Sequence, residues 1–472
     1  MGSEEKQLKL ASRVGIIGAG VSGIAAAKQL SAGYSPVVFE ATDSIGGVWK
    51  HCSYASTKLQ TPRCDYEFSD YPWPERDNSS FPSHVEVLEY LHGYATHFDV
   101  LKLIKFNSRV TEIRYVGDHY DDSAEYGPLL SGRPVWEVAV EDSVSKLVQL
   151  NKEAARSLLK GKKVAVVGYK KSAIDLCMEC AEANHGPDGQ PCTMVIRSLH
   201  WTVPSYWIWG LPFFLFYSTR SSQLLHERPN QNWFRTLFLS LLSPMKKAIS
   251  KFIESYLVWK LPLVKYGLKP DHPFVEDYAS CQMAILPENF FSEADKGNIV
   301  FRKASRWWFW SGGIEFEDNT RLEADVVILA TGFDGKKKLQ ALIPQPFNNL
   351  MADSSGIMPL YRGTIHPLIP NMAFVGYVES VSNLHTAEIR CKWLARLADD
   401  VFKLPSVEKM LQQTSKEIQV MKRTTRFYKR HCISTFSINH SDEICEEMGW
   451  SSWRKKNRLL EVFSPYNSQD YV

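Results

Sequence analysis

A chain of 472 residues, 44% hydrophobic and 23% charged, can bury large cores and should divide into at least two domains, which excludes a disordered protein. Its 55 basic and 52 acidic residues leave a formal charge of +3, which gives no electrostatic reason to expect a nucleic-acid or strongly acidic partner. Nine cysteines without framework spacing, behind a polar N-terminus that lacks the apolar core of a secretory signal, point to reduced thiols and the cytosol.

The first element is a short apolar strand, Arg13 to Ile17, that runs directly into Gly18-Ala19-Gly20-Val21-Ser22-Gly23 and a helix from Ile24. In this arrangement Gly18 permits a tight turn, Gly20 lets the backbone approach a pyrophosphate and Gly23 lets helix and strand pack closely, with the helix N-terminus facing the anion. A second strand, Pro36 to Phe39, ends in Glu40, 22 residues after Gly18, where a carboxylate accepts hydrogen bonds from an adenosine ribose. The same carboxylate repels a 2′-phosphate, which leaves NAD or FAD for this site.

Gly46-Gly47-Val48-Trp49 follows, and then Phe68-Ser69-Asp70-Tyr71-Pro72. On these motifs the chain resembles the flavin-containing monooxygenases, and most nearly the plant clade that N-hydroxylates pipecolic acid in systemic immunity. The resemblance implies FAD at the first site, contacted by Gly47, Val48 and Trp49, and NADPH at a second. It also implies oxygenation of a soft nitrogen or sulfur nucleophile by O2 through a C4a-hydroperoxyflavin. The family's catalytic asparagine, counted back from Asp70, falls on Gln60, beside Thr61. A glutamine keeps the amide's donor and acceptor but adds a methylene.

Lys163 to Val167 is another buried-strand pattern, leading into Gly168-Tyr169-Lys170-Lys171-Ser172-Ala173 and a helix from Ile174 to Ala183. Lys170 stands where the fingerprint has its central glycine, as lysines do in the resembled clade, and either Lys170 or Lys171 can supply charge to a phosphate. Arg197 ends the next strand where the first domain has Glu40, a reversal that suits the 2′-phosphate of NADPH. Cys177 and Cys180 raise a disulfide reductase as a rival, but their place inside a helix favours packing against the sheet.

The most apolar run, Trp207 to Tyr217, is short of the ~20 residues a membrane span needs and reads as buried or interfacial. Helical spacing in Trp233 to Leu242 and Ala248 to Lys260 predicts a helical insertion at about 205–290. The Lys336-Lys337-Lys338 run reads as a solvated loop. Ala324 to Phe333 predicts a buried strand ending at Thr331-Gly332, which resembles the element where flavoproteins cross back between domains. Asn371 to Gly376 predicts another strand, and His385 and Glu388 face either the cofactor or solvent from the helix beyond.

The expected fold is therefore α/β, with two Rossmann-like dinucleotide-binding domains. The FAD domain occupies 1–160 and 325–472, and the NADPH domain at 161–324 is inserted in it. One family segment is missing. After the alternating strand Val135 to Val140, the family supplies a crossover strand and an F-x-G-x-x-x-H-S-x-x-[YF] motif, whereas Glu141 to Lys162 reads as a polar link and a helix. The alternative to an active monooxygenase is then a relative that keeps nucleotide binding with little or no activity.

Overall fold

The computed structural model describes residues 13–75, 77, 80–117, 136–142, 152–184, 186, 189–351 and 356–471. Two parallel sheets organise them. In the first, β1 (Arg13–Ile17) leads through the glycine turn into α1 (Val21–Leu30) and β2 (Ser35–Phe39). Next comes α2 (His84–His97), whose N-terminus is closed by a capping box of Ser83 and Glu86, and then β3 (Ile104–Lys105). The strand order is β1-β2-β3, all parallel, with Ile17 opposite Phe39 and Val38 opposite Ile104. An antiparallel pair follows, β4 (Ser108–Tyr115) with β5 (Trp136–Asp142).

Helix α3 (Lys152–Leu159) then precedes the second unit, in which β6 (Val164–Val167), α4 (Lys171–Ala183) and β7 (Cys192–Ile196) repeat the strand, turn, helix, strand sequence. Within the insertion, the two helical stretches expected from spacing form one helix, α5 (Trp233–Lys260), capped by Asn232 and continuous through Pro244. Then come β8 (Ile299–Lys303), an antiparallel meander of β9 (Trp307–Trp310), β10 (Gly313–Phe316) and β11 (Arg321–Glu323), and finally β12 (Val326–Leu329). The second sheet has the order β8-β7-β6-β12.

The sheets of the two units differ at one edge. In the second, a third meander strand leads into β12, which pairs with β6, and every residue of β6 is buried. In the first, no strand among the described residues pairs with the free edge of β1. Arg13, Gly15 and Ile17, which share one face of β1, are also exposed, Ile17 by 49%. The strands of a parallel sheet are normally covered on both faces. Helix α3 does not take that place: Asn184 of α4 donates to Leu159 O at 3.0 Å and accepts from Gly161 N at 2.7 Å, tying α3 to the second unit.

Several expectations are corrected. The strand expected to begin the returning part at 325 is β12, an edge of the second sheet, and it is partly exposed rather than buried because only β6 flanks it. The lysine run lies in a short helix, Gly335–Leu342, started by Asp334 accepting from Lys337 N. The Asn371 to Gly376 strand reduces to a single bridge of Ala373 with Ile365. Not all thiols are reduced, since Cys281 and Cys432 form a disulfide between the insertion and the C-terminal part.

Helix α6 (Asn383–Ala398) returns to the first unit and packs on α1. Small side chains, Ala25, Ala26 and Ala27 on α1 and Ala387 on α6, let the two helices approach, and Leu384 and Cys391 are fully buried in the core they share. Each fully buried large apolar side chain contributes ~1.5–3 kcal/mol, so this contact fixes α1 and the turn before it.

Candidate functional site

The first turn is built from backbone constraints. Gly18 adopts φ +93°, and its N–H donates to Phe39 O at 2.9 Å, which sets the turn against β2. A Cβ on Gly23 would collide with the Gly18 carbonyl, the close packing expected of that position. Gly20 precedes α1, whose N-terminus carries no side-chain cap, leaving the N–H groups of Val21, Ser22 and Gly23 directed outward. Gly47 comes up against this turn, and a Cβ there would stand 3.2 Å from Gly20 Cα. Two glycine loops and an uncapped helix start suit a dinucleotide pyrophosphate.

Glu40 is buried and engaged with its own chain. One carboxylate oxygen accepts from Ala19 N at 2.7 Å, and the other from Thr42 N at 2.9 Å and Thr42 Oγ1 at 2.8 Å. The carboxylate therefore locks the glycine turn to the end of β2, and the oxygen facing Ala19 keeps acceptor capacity for a ribose hydroxyl. Val48 is exposed, whereas Trp49 is half-buried and donates from Nε1 to Tyr66 OH at 3.0 Å. The helix-surface alternative for Glu388 and His385 is not what forms. Glu388 accepts from Ser69 N at 2.9 Å and Ser69 Oγ at 2.6 Å, anchoring the Ser69-Asp70 element to α6, and the His385 ring packs 4.3 Å from Tyr471.

At the second turn Gly168 has φ +143° and donates to Val195 O at 2.9 Å. A Cβ on it would stand 2.5 Å from Ala330 O and 3.1 Å from the Ala173 methyl, so β12 and α4 close on it from both sides. Tyr169 is buried, and burial raises its pKa. Lys170 is the N-cap residue of α4, which again has no side-chain cap. Its pKa is lowered to about 8, first by burial and then by Arg430; Glu379 and Asp277 act the other way, and Arg197 adds to the lowering. A lysine held among two arginines at an uncapped helix start suits an anion.

The two lysines separate in role. Lys171 donates to Asp175 Oδ1 at 2.7 Å, and Tyr54 OH donates to the other oxygen of this buried carboxylate at 3.0 Å, so Lys171 takes part in a contact between the units. Ser172, Arg197, Thr331 and Gly332 are exposed around the turn. Cys177 and Cys180 are buried on α4, with Cys192 Sγ 3.4 Å from Cys177 Sγ, the packing role expected of them.

Gln60 meets the insertion: its Oε1 accepts from Ile285 N at 2.8 Å. Thr61 beside it is half-buried. Sequence patterns did not reveal the residues that surround Lys170. Glu379, kept close to Arg430 at 2.6 Å, comes from the C-terminal part. Asp277, fully buried, accepts from His200 Nδ1 at 2.8 Å and Trp201 N at 2.6 Å, with His272 Nε2 at 2.9 Å. Burial opposes ionisation of Asp277, but His200 and His272 hold its pKa below the ordinary carboxylate value. These partners lie far apart in sequence and share no motif.

A family model described as flavin-binding monooxygenase-like matches residues 11–144 and 146–453. The chain is similar to "Probable flavin-containing monooxygenase 1" of Arabidopsis thaliana, 58% identical over 509 residues that cover 98% of this chain and 96% of that one. Cyclohexanone-bound cyclohexanone monooxygenase has a TM-score of 0.63 at 16% identity, covering 92% of this chain and 96% of its own. OTEMO in complex with FAD and NADP has a TM-score of 0.58 at 19% identity, with 89% and 90% covered. The structural likenesses support the two-dinucleotide-domain fold, and the sequence match supports kinship: this chain belongs to the flavin-binding monooxygenase-like family.

Proposed function

We propose that the protein is an FAD-dependent, NADPH-consuming monooxygenase that oxygenates a soft nitrogen or sulfur nucleophile. The observation that carries this reading is the pair of glycine turns joined by Gln60, Tyr54 and Asp175. FAD belongs at Gly18 to Gly23, Glu40 and Gly47 to Trp49, and when reduced by NADPH it supplies activated oxygen. NADPH belongs at Gly168 to Ala173, with Lys170 and Arg197 toward its phosphates and Thr331-Gly332 alongside. Gln60 occupies the place of the family's asparagine, and with Oε1 taken by Ile285 it offers Nε2 to the cofactors. Within this class, the secondary amine of pipecolic acid is the substrate suggested by the resemblance to the plant clade.

A second reading, a weakly active relative that loses FAD, is favoured by the open edge of β1. A segment missing after Val140 would account for that edge. In support, the alignment with the Arabidopsis relative runs to 509 residues against the 472 of this chain, and the family match breaks at residue 145. Flavin absorbance per mole of purified protein after extensive dialysis, followed by NADPH oxidation with and without added FAD, separates the readings. Bound flavin with amine-coupled NADPH oxidation is expected of the first. Flavin-free protein that stays inactive when FAD is added would overturn it.

A further inference from the structure

Helix α5 turns an apolar face away from the protein. Its 28 residues bury Ser250, Ile253, Glu254, Tyr256 and Leu257 against the second unit. On the outside, Trp233, Phe234, Leu237, Phe238, Leu241 and Met245 are between 45% and 71% exposed, and the row continues through Phe252 and Trp259. At 100° per residue these positions fall within an arc of about 140°, one stripe about 39 Å long. The neighbouring hairpin, Trp207 to Pro212, extends it: Trp209, itself 46% exposed, stacks on Trp259 with ring centroids 5.1 Å apart. A contiguous apolar surface of this length on a folded protein marks a contact site.

The charges beside the stripe have one sign. Lys247 and Lys260 are exposed, and Lys251 pairs at 2.7 Å with the helix's only acid, Glu254, which is buried and whose Oε1 accepts from Ser250 Oγ at 2.8 Å and Phe274 N at 3.0 Å. A two-fold contact between copies through this face would set lysine rims against each other, which disfavours self-association. Tryptophans at both ends, an aliphatic and phenylalanine middle and a lysine rim match the interface of a bilayer carrying anionic headgroups. No helix among the described residues is long and apolar enough to cross a membrane, so such a helix would lie in the interface plane.

We propose that α5 and the Trp207–Pro212 hairpin form a docking surface for anionic phospholipid membranes. The test uses the full chain, sedimented with vesicles of phosphatidylcholine alone or of phosphatidylcholine with phosphatidylserine. The expected result is co-sedimentation that is stronger with phosphatidylserine and weakened by salt. The triple variant Phe234→Ser, Leu237→Ser, Leu241→Ser should bind both vesicles at least about tenfold more weakly. The pair Lys247→Glu, Lys260→Glu should lose at least about fivefold on phosphatidylserine vesicles and little on phosphatidylcholine. It alters only exposed positions, so it decides the question if the serine variant fails to fold by circular dichroism. No binding to either vesicle overturns the proposal, as does binding that the charge pair leaves unchanged. A dimer in sedimentation velocity that the serine variant converts to monomer, without vesicle binding, assigns the face to a second copy instead.

Discussion

Lys170 and Arg197 are the side chains through which the proposed NADPH site would choose its cofactor. Lys170 is uncharged above about pH 8 and charged below it, because burial and Arg430 oppose its protonation. If it meets a phosphate, NADPH binds tightly on the acid side and the KM for NADPH rises as pH passes through that value. Lys170→Met should remove this pH dependence, checked by KM for NADPH at a series of pH values with FAD content held constant. Arg197 stands exposed at the end of β7, where a 2′-phosphate is the feature that distinguishes NADPH from NADH. Arg197→Ala should weaken NADPH by about 1–3 kcal/mol, one charge-assisted hydrogen bond, and NADH much less. Equal losses for both nucleotides, measured by titration, would remove Arg197 from the site. Glu40 adds a lesson at this scale: its carboxylate holds the turn through Ala19 and Thr42, so its loss should affect turn geometry as well as ribose contact.

At the level of elements, the two units begin alike and end differently. β6 is flanked by β7 and β12, and β1 by β2 alone among the described residues. An unflanked strand leaves its ladder groups to water and exposes apolar side chains, here Ile17, at the strand end next to the glycine turn. Each 1.4 kcal/mol taken from cofactor binding lowers affinity about tenfold, so on the reading in which FAD is lost a modest loosening of β1 is enough to empty the site at ordinary concentrations. Ligand stabilisation follows the ratio of free ligand to Kd. On that reading added FAD raises the melting temperature only at high concentration, whereas on the first reading the shift saturates near stoichiometric FAD, and a melting curve at increasing FAD separates the two. Saturation of the shift at stoichiometric FAD would show that β1 is held well enough without a further neighbour.

Across the whole molecule, contacts between the units come from segments distant in sequence. Tyr54 with Asp175, Gln60 with Ile285 and the Cys281–Cys432 disulfide each tie the second unit or its insertion to the first or to the C-terminal part. The disulfide closes a loop of 151 residues in sequence separation, and cross-linking so long a loop restricts the unfolded chain. Cys281→Ser should therefore lower stability by about 2–5 kcal/mol, read as a lower urea midpoint under oxidising conditions and no change from wild type under reduction. A wild-type midpoint that does not respond to reductant would mean that the bond does not form in solution.

Local sequence by itself determined the glycine turns. Gly18, Gly23 and Gly168 are needed where a positive φ or a close approach leaves no room for a Cβ, and such constraints are written in adjacent residues. The two units, the helical insertion and the packing role of Cys177 and Cys180 were legible for the same reason, because period and spacing are local properties. Tertiary structure alone decided that Lys171 pairs with Asp175 while Lys170 stays beside Arg430, that β12 closes the second sheet, and that Glu388 holds Ser69. It also decided which face of α5 is left uncovered. Periodicity records that a helix has an apolar side, but whether that side meets a core or the surroundings depends on where the rest of the chain packs.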